Sequence, residues 1–171
     1  MITVMGATGH TGSAVAEALL AAGGRIRVVG RSAERLEPFV SRGAEPAVGD
    51  VHDPDFLAES FRGADAVYAM VPPDYTDPDQ MGLCERTGAG IARAAKTSGV
   101  SRLVVLSSLG ADLPEGTGPV RGLHLVEERL KKELRNADIA FLRAAYLFEN
   151  HLTTLELIRT QGINGGALPA D

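Results

Sequence analysis

Ile2-Thr-Val-Met-Gly6-Ala-Thr-Gly9-His-Thr-Gly12-Ser-Ala-Val-Ala-Glu-Ala-Leu-Leu-Ala-Ala22 is the stretch that decides the fold. A short apolar run leads into three glycines spaced by three, and these open an Ala-rich helical segment. Glycine suits such a loop for a tight turn, for close approach of backbone to a pyrophosphate, and for close packing of helix on strand. The helix start then offers unpaired N–H groups and a partial positive charge to phosphates. As a bare pattern the spacing is weak, since the chain holds 20 glycines; its position between an N-terminal strand and a helix gives it weight.

Outward from this loop, β-branched and apolar runs recur between helical stretches. The spacing predicts strands at 2–5, 26–30, 44–48, 65–71, 102–107 and 139–143. Helices are predicted near 11–22, 33–42, 54–61, 80–98, 120–135 and 149–160. Ser32 is a good N-cap, Gly43 and Gly99 are good helix stops, and Asp53-Pro54 and Pro72-Pro73 supply turn chemistry. Alternation of this kind implies an α/β class: a doubly wound parallel sheet of about six strands with helices on both faces. Ligands are expected at the carboxyl ends of the strands.

With 171 residues the chain has the length of one domain, and 17 basic against 22 acidic residues leave it a net charge of −5. It therefore lacks the positive field of a direct nucleic-acid binder. Cys84 is the only cysteine, which excludes an intrachain disulfide and fits a reducing, cytoplasmic compartment. The N-terminus has no basic run, and no apolar stretch approaches a membrane span, so neither secretion nor membrane insertion is expected.

The other strand ends complete a candidate nucleotide site. Thr8, His10 and Thr11 fill the loop between Gly6, Gly9 and Gly12. Nineteen positions beyond Gly12, where an NAD-type site would carry an acidic residue, the chain has Gly30-Arg31-Ser32. A guanidinium clamps a 2′-phosphate that a carboxylate would repel, so the expected cofactor is NADP(H), with NAD(H) as the weaker alternative. Arg35, one turn into the next helix, could assist. Asp50 offers a carboxylate to the adenine amine and Val51 an apolar wall, while Val71 and Pro72 flank the adenosine with rigid, uncharged backbone.

The glycine loop, Arg31, Gly49-Asp50 and the run Leu142-Arg-Ala-Ala-Tyr-Leu-Phe-Glu-Asn150 together resemble the NmrA-like family of atypical short-chain dehydrogenase/reductases, in unbroken order from residue 1 to about 160. The resemblance implies an NADP(H)-binding Rossmann domain, with Phe148 and Asn150 beside the nicotinamide. It also implies one of two activities: hydride transfer from NADPH to a quinone-like or other small carbonyl acceptor, or a non-catalytic redox sensor that regulates a partner protein. Two departures stand out. No tyrosine lies between Tyr75 and Tyr146, so the tyrosine relay of ordinary short-chain reductases has no residue to act through, although Ser107 and Ser108 are present. The chain is also shorter than such proteins, so a missing C-terminal substrate lobe, poor turnover and self-association into a homo-oligomer through exposed apolar surface are expected.

Among residues that could carry chemistry, His124 and Glu128 share a helix face at i,i+4; with no third ligand in view the spacing suggests an acid–base pair or a surface ion pair, and no metal site is expected. Ser107 could polarise a carbonyl or cap backbone. Tyr146 could flank the nicotinamide or fill the core, and Cys84 is expected as a buried small apolar group. Glu127-Glu128-Arg-Leu-Lys131-Lys132 reads as a solvated helix face.

Overall fold

The structure, a computed structural model, describes residues 1–74, 76–149, 152 and 155–162. The strands are β1 (Ile2–Val4), β2 (Ile26–Gly30), β3 (Glu45–Val48), β4 (Ala66–Ala69), β5 (Arg102–Ser108) and β6 (Asp138–Ala144). They alternate with helices α1 (His10–Ala21), α2 (Ala33–Val40), α3 (Pro54–Phe61), α4 (Gln80–Ser98), α5 (Arg121–Glu133) and α6 (Leu155–Gln161). Every pairing is parallel, and the sheet order is β3-β2-β1-β4-β5-β6. The direction of winding reverses beside β1, which pairs with β2 on one side and β4 on the other. That reversal opens a crevice at the carboxyl ends of the strands, the usual ligand position in a Rossmann sheet.

Local chemistry sets the helix boundaries. Ser32 accepts from the Arg35 N–H at the start of α2, and Asp53 accepts from the Asp55 and Phe56 N–H groups at the start of α3, with Pro54 at its first position. Asp79 caps α4, which ends at Gly99 with φ 75°. Helix α1 differs: its N-cap is Gly9 and no side chain caps it.

Two apolar layers sandwich the sheet. Val4, Ala16, Val28, Leu36 and Phe39 join α1 and α2 to one face. Leu57, Phe61, Ile91, Leu103, Val105 and Leu130 join α3, α4 and α5 to the other. Helices α4 and α5 cross closely, because a Cβ on Gly122 would lie 2.6 Å from the Cys84 sulfur. Along β5 and β6 the alternation leaves Val104 and Leu142 on the α1 side of the sheet, 41% and 54% exposed. Among the described residues no helix is long and apolar enough to cross a membrane.

The expected strands and helices are present, with shifted ends. Strand β4 stops at Ala69 rather than 71, since Pro72 and Pro73 carry no N–H to continue a ladder. The final helix begins at Leu155 instead of near 149, and Phe148 and Glu149 form a short tight turn before it. β6 runs two residues further in total than the apolar pattern suggested, pairing from Asp138 to Ala144 with Arg102 to Ser108.

Candidate dinucleotide site

The three loop glycines differ in what the fold asks of them. Gly6 has φ 64°, a left-handed conformation that side chains oppose, and its carbonyl accepts from the Gly9 N–H at 2.9 Å to close the turn. Gly12 is buried, and a Cβ there would lie 2.1 Å from the Gly6 carbonyl oxygen, so it seats α1 against the loop. Gly9 has neither constraint. Its φ is −99°, and an added Cβ would meet only the Gly6 oxygen at 3.4 Å. It stands exposed at the uncapped start of α1, bordering the crevice.

A cavity of about 320 Å³ opens there, lined by Gly6, Thr8, Gly9, Gly30, Arg31, Arg35, Asp50, Val51, Pro72 and Asp74, among others. The ends of β1, β2, β3 and β4 thus bring most of the adenosine-side residues anticipated in the sequence to one hollow. The Arg35 guanidinium donates to the Thr8 carbonyl at 2.6 Å, bracing α2 against the glycine loop. Asp50 accepts from the His52 N–H at 2.9 Å, which fixes its carboxylate in a local turn. A neighbouring hollow of about 570 Å³ lies between α3 and α4, against Arg86 and Arg93. It holds no residue of the glycine loop, so the smaller cavity is the candidate site.

Other anticipated residues stand outside that cavity. His10 and Thr11 form the first turn of α1, Ser32 is spent as the α2 cap, and Val71 packs against the core. Phe148 is 86% exposed beyond β6, and Asn150 lies outside the described residues. Leu106 to Leu109 and Ala144 to Leu147, Tyr146 included, line a further hollow of about 400 Å³ at the ends of β5 and β6. Tyr146 is itself 62% exposed, so it borders this hollow rather than filling the core.

Below that hollow lies a cluster the sequence reading missed. Glu127 is not on a solvated face but 1% exposed. It accepts from the Ser107 hydroxyl at 2.7 Å and from Arg143 through Nε at 2.9 Å and Nη2 at 2.7 Å, with Lys131 at 3.4 Å. Burial alone would raise the Glu127 carboxyl, but the bonds from Arg143 and Ser107 and the nearby cations outweigh it and hold the group below its ordinary value. One signal could have found it. Arg143 shares an alternating strand face with Ile139 and Phe141, so a cation in that apolar series calls for a buried acidic partner.

His124 and Glu128 do not pair. The His124 Nδ1 lies 2.9 Å from the Ala111 carbonyl, which can only accept, so Nδ1 carries a proton and Nε2 is the second nitrogen. Glu128 instead accepts from Lys131 at 2.9 Å. Cys84 is half-buried and burial pushes its thiol up, consistent with a packing role beneath Gly122.

A parallel sheet of this order, with a glycine turn at its switch point and the start of α1 turned to the crevice, defines a dinucleotide-binding domain of the Rossmann class. The chain belongs to the NAD(P)H-binding family, which it matches over residues 6–162. It is 30% identical over 163 residues to an NAD(P)H azoreductase from Xenophilus azovorans, covering 95% of this chain and 54% of that protein. Among solved structures it is similar to the triphenylmethane reductase of Citrobacter sp., with 25% identity and a TM-score of 0.77, covering 92% of this chain and 53% of that one. An NADPH-dependent quinone oxidoreductase from Escherichia coli, solved with NADPH, shares the fold with a TM-score of 0.79 at 21% identity, over 95% of this chain and 55% of that one. The chain spans about half the length of these relatives.

Proposed function

We propose that this chain is the NADP(H)-holding part of a reductase that passes hydride from the cofactor to a quinone-like or other small carbonyl acceptor. Gly9 carries the reading. The fold requires glycine at Gly6 and Gly12 but not at Gly9, so a ligand backbone contact is the reason left for the absence of a side chain. The candidate cavity fits the group: an uncapped helix start for the pyrophosphate, Arg31 and Arg35 for a 2′-phosphate, and Asp50 and Val51 for the adenine. NADPH supplies the hydride when bound, and the residues of this chain bind and orient. On this reading Phe148 and Asn150 belong to the nicotinamide end, and Ser32 turns α2 so that Arg35 faces the loop. His10, Thr11 and Val71 stay close to the pyrophosphate and adenosine through backbone rather than through the cavity lining.

The hollow at the ends of β5 and β6, bordered by the exposed Tyr146, would need a second wall to enclose a substrate, supplied on this reading by further polypeptide or by a second copy of the chain. A cytoplasmic setting belongs to the same reading. One observation favours the alternative of a non-catalytic redox sensor with a protein partner: the Ser107 hydroxyl proton is committed to Glu127 and is not offered to a substrate carbonyl. NADPH oxidation against a panel of quinones separates the two, since a sensor binds NADPH without consuming it.

Arg31→Ala tests the cofactor preference. The loss for NADP(H) is expected at about 1.5–3 kcal/mol, the worth of hydrogen bonds to a charged group, or roughly 10- to 150-fold in affinity. NAD(H) affinity should hardly change. Equal losses for both dinucleotides in calorimetry would show that Arg31 does not reach the 2′-phosphate.

A further inference from the structure

The adenosine cavity is not uniformly basic. Strands β2 and β4 both pair with β1, so their carboxyl ends flank the glycine loop from opposite sides, roughly 9–10 Å apart by the inter-strand spacing. Arg31 follows β2 and Asp74 follows the Pro72-Pro73 turn after β4, and both line the cavity. Asp74 is exposed, yet its side chain is not loose. Its Oδ1 accepts from the Thr76 N–H at 2.9 Å and the Thr76 hydroxyl at 2.6 Å, and its carbonyl accepts from Gln80 at 2.7 Å.

We infer that Asp74 is a specificity-determining residue of the cofactor site: a fixed negative charge, opposite Arg31, that lowers the preference for NADP(H) and keeps NAD(H) usable. The inference rests on the reading of this cavity as the adenosine site and goes beyond it. A 2′-phosphate carries about −1.5 to −2 charges. Seated on Arg31, it would face Asp74 across the cavity, whereas the hydroxyl of NAD(H) carries no charge for Asp74 to repel. The Thr76 bonds and the Arg31 charge hold the Asp74 carboxyl below its ordinary value, so the repelling form is the one present at neutral pH. Because the group is exposed, the repulsion acts through water and depends on salt.

The test compares wild type, Asp74→Asn and Arg31→Ala by calorimetric titration with NADPH and with NADH. Asparagine keeps the oxygen that accepts from Thr76 and removes only the charge; Asp74→Ala, at the same exposed position, should move affinity in the same direction. With that repulsion removed, Asp74→Asn is expected to bind NADPH several-fold more tightly at ~10 mM ionic strength, with the gain fading toward ~1 M salt as the charges are screened. NADH, which shares the pyrophosphate but lacks the 2′-phosphate, should gain less, so the NADPH-to-NADH affinity ratio rises. An unchanged or reduced NADPH-to-NADH ratio in Asp74→Asn, with Arg31→Ala still losing NADPH selectively, overturns this inference and leaves the cofactor reading standing. An NADPH-to-NADH ratio that changes in neither Arg31→Ala nor Asp74→Asn overturns both.

Discussion

Replacement of Gly9 by valine is expected to abolish dinucleotide binding while leaving the fold intact. The backbone at Gly9, with φ −99°, is extended and open to a β-branched residue, and the Cβ would be in ordinary contact with its one neighbour at 3.4 Å. The two methyl groups would instead occupy the crevice beside the start of α1, the position proposed for the pyrophosphate. A loss of at least ~100-fold, about 2.7 kcal/mol, is the expected scale for NADPH and NADH alike. Gly12→Ala provides the contrast. Its Cβ would collide at 2.1 Å with backbone that cannot swing aside, so it should destabilise the domain by ~1–3 kcal/mol or more. Thermal melts followed by circular dichroism, alongside NADPH titration, separate the two effects. A Gly9→Val protein that melts like wild type and still binds NADPH would reduce the loop to a connecting turn.

The second large effect is on stability. Glu127→Gln removes the charge that Arg143 and Ser107 enclose, and breaking a largely buried ion pair costs about 3 kcal/mol, the low end of the usual range because Arg143 is partly exposed. For a chain of this length that is roughly a 6–12 °C fall in melting temperature. The sign with pH follows from a carboxyl held below its ordinary value. Its contribution is full above the unfolded pKa of about 4.3 and is lost as pH falls through the lower, folded value. The melting difference between wild type and Glu127→Gln should therefore hold from neutral pH down to ~4.3 and shrink below it. A difference that is absent at neutral pH, or that grows on acidification, would show that Glu127 is not stabilised as a carboxylate.

These two sites also mark how far the sequence could be read. The glycine loop was legible because its reasons are local: a strand, a turn and a helix start within twenty residues, each announced by residue type. The ends of β2, β3 and β4 were legible through Arg31, Asp50 and Pro72, since parallel winding brings all strand ends to one edge. The Glu127 cluster was not, because Ser107, Glu127 and Arg143 come from three elements, and only the pairing of Ser107 with Arg143 across β5 and β6 brings them together. On α5 alone, Glu127 looks like its neighbour Glu128, which is exposed and paired with Lys131. Asp74 escaped notice for a smaller reason. The rigid segment after β4 reads as uncharged through Pro73, and the carboxylate that faces the cavity is the next residue.

The same logic explains the shifted ends. Pro72 and Pro73 end the β4 ladder by lacking donors, but the apolar pattern through Val71 concealed the stop. Near residue 149 the pattern suggested a helix where the chain first makes a tight turn at Phe148 and Glu149.

The most direct test of the account is a calorimetric titration of the 171-residue chain with NADPH and, separately, with NADH. Saturable binding of one NADPH per chain is expected, with NADH bound more weakly. A chain that is folded by circular dichroism yet takes up neither dinucleotide would contradict it.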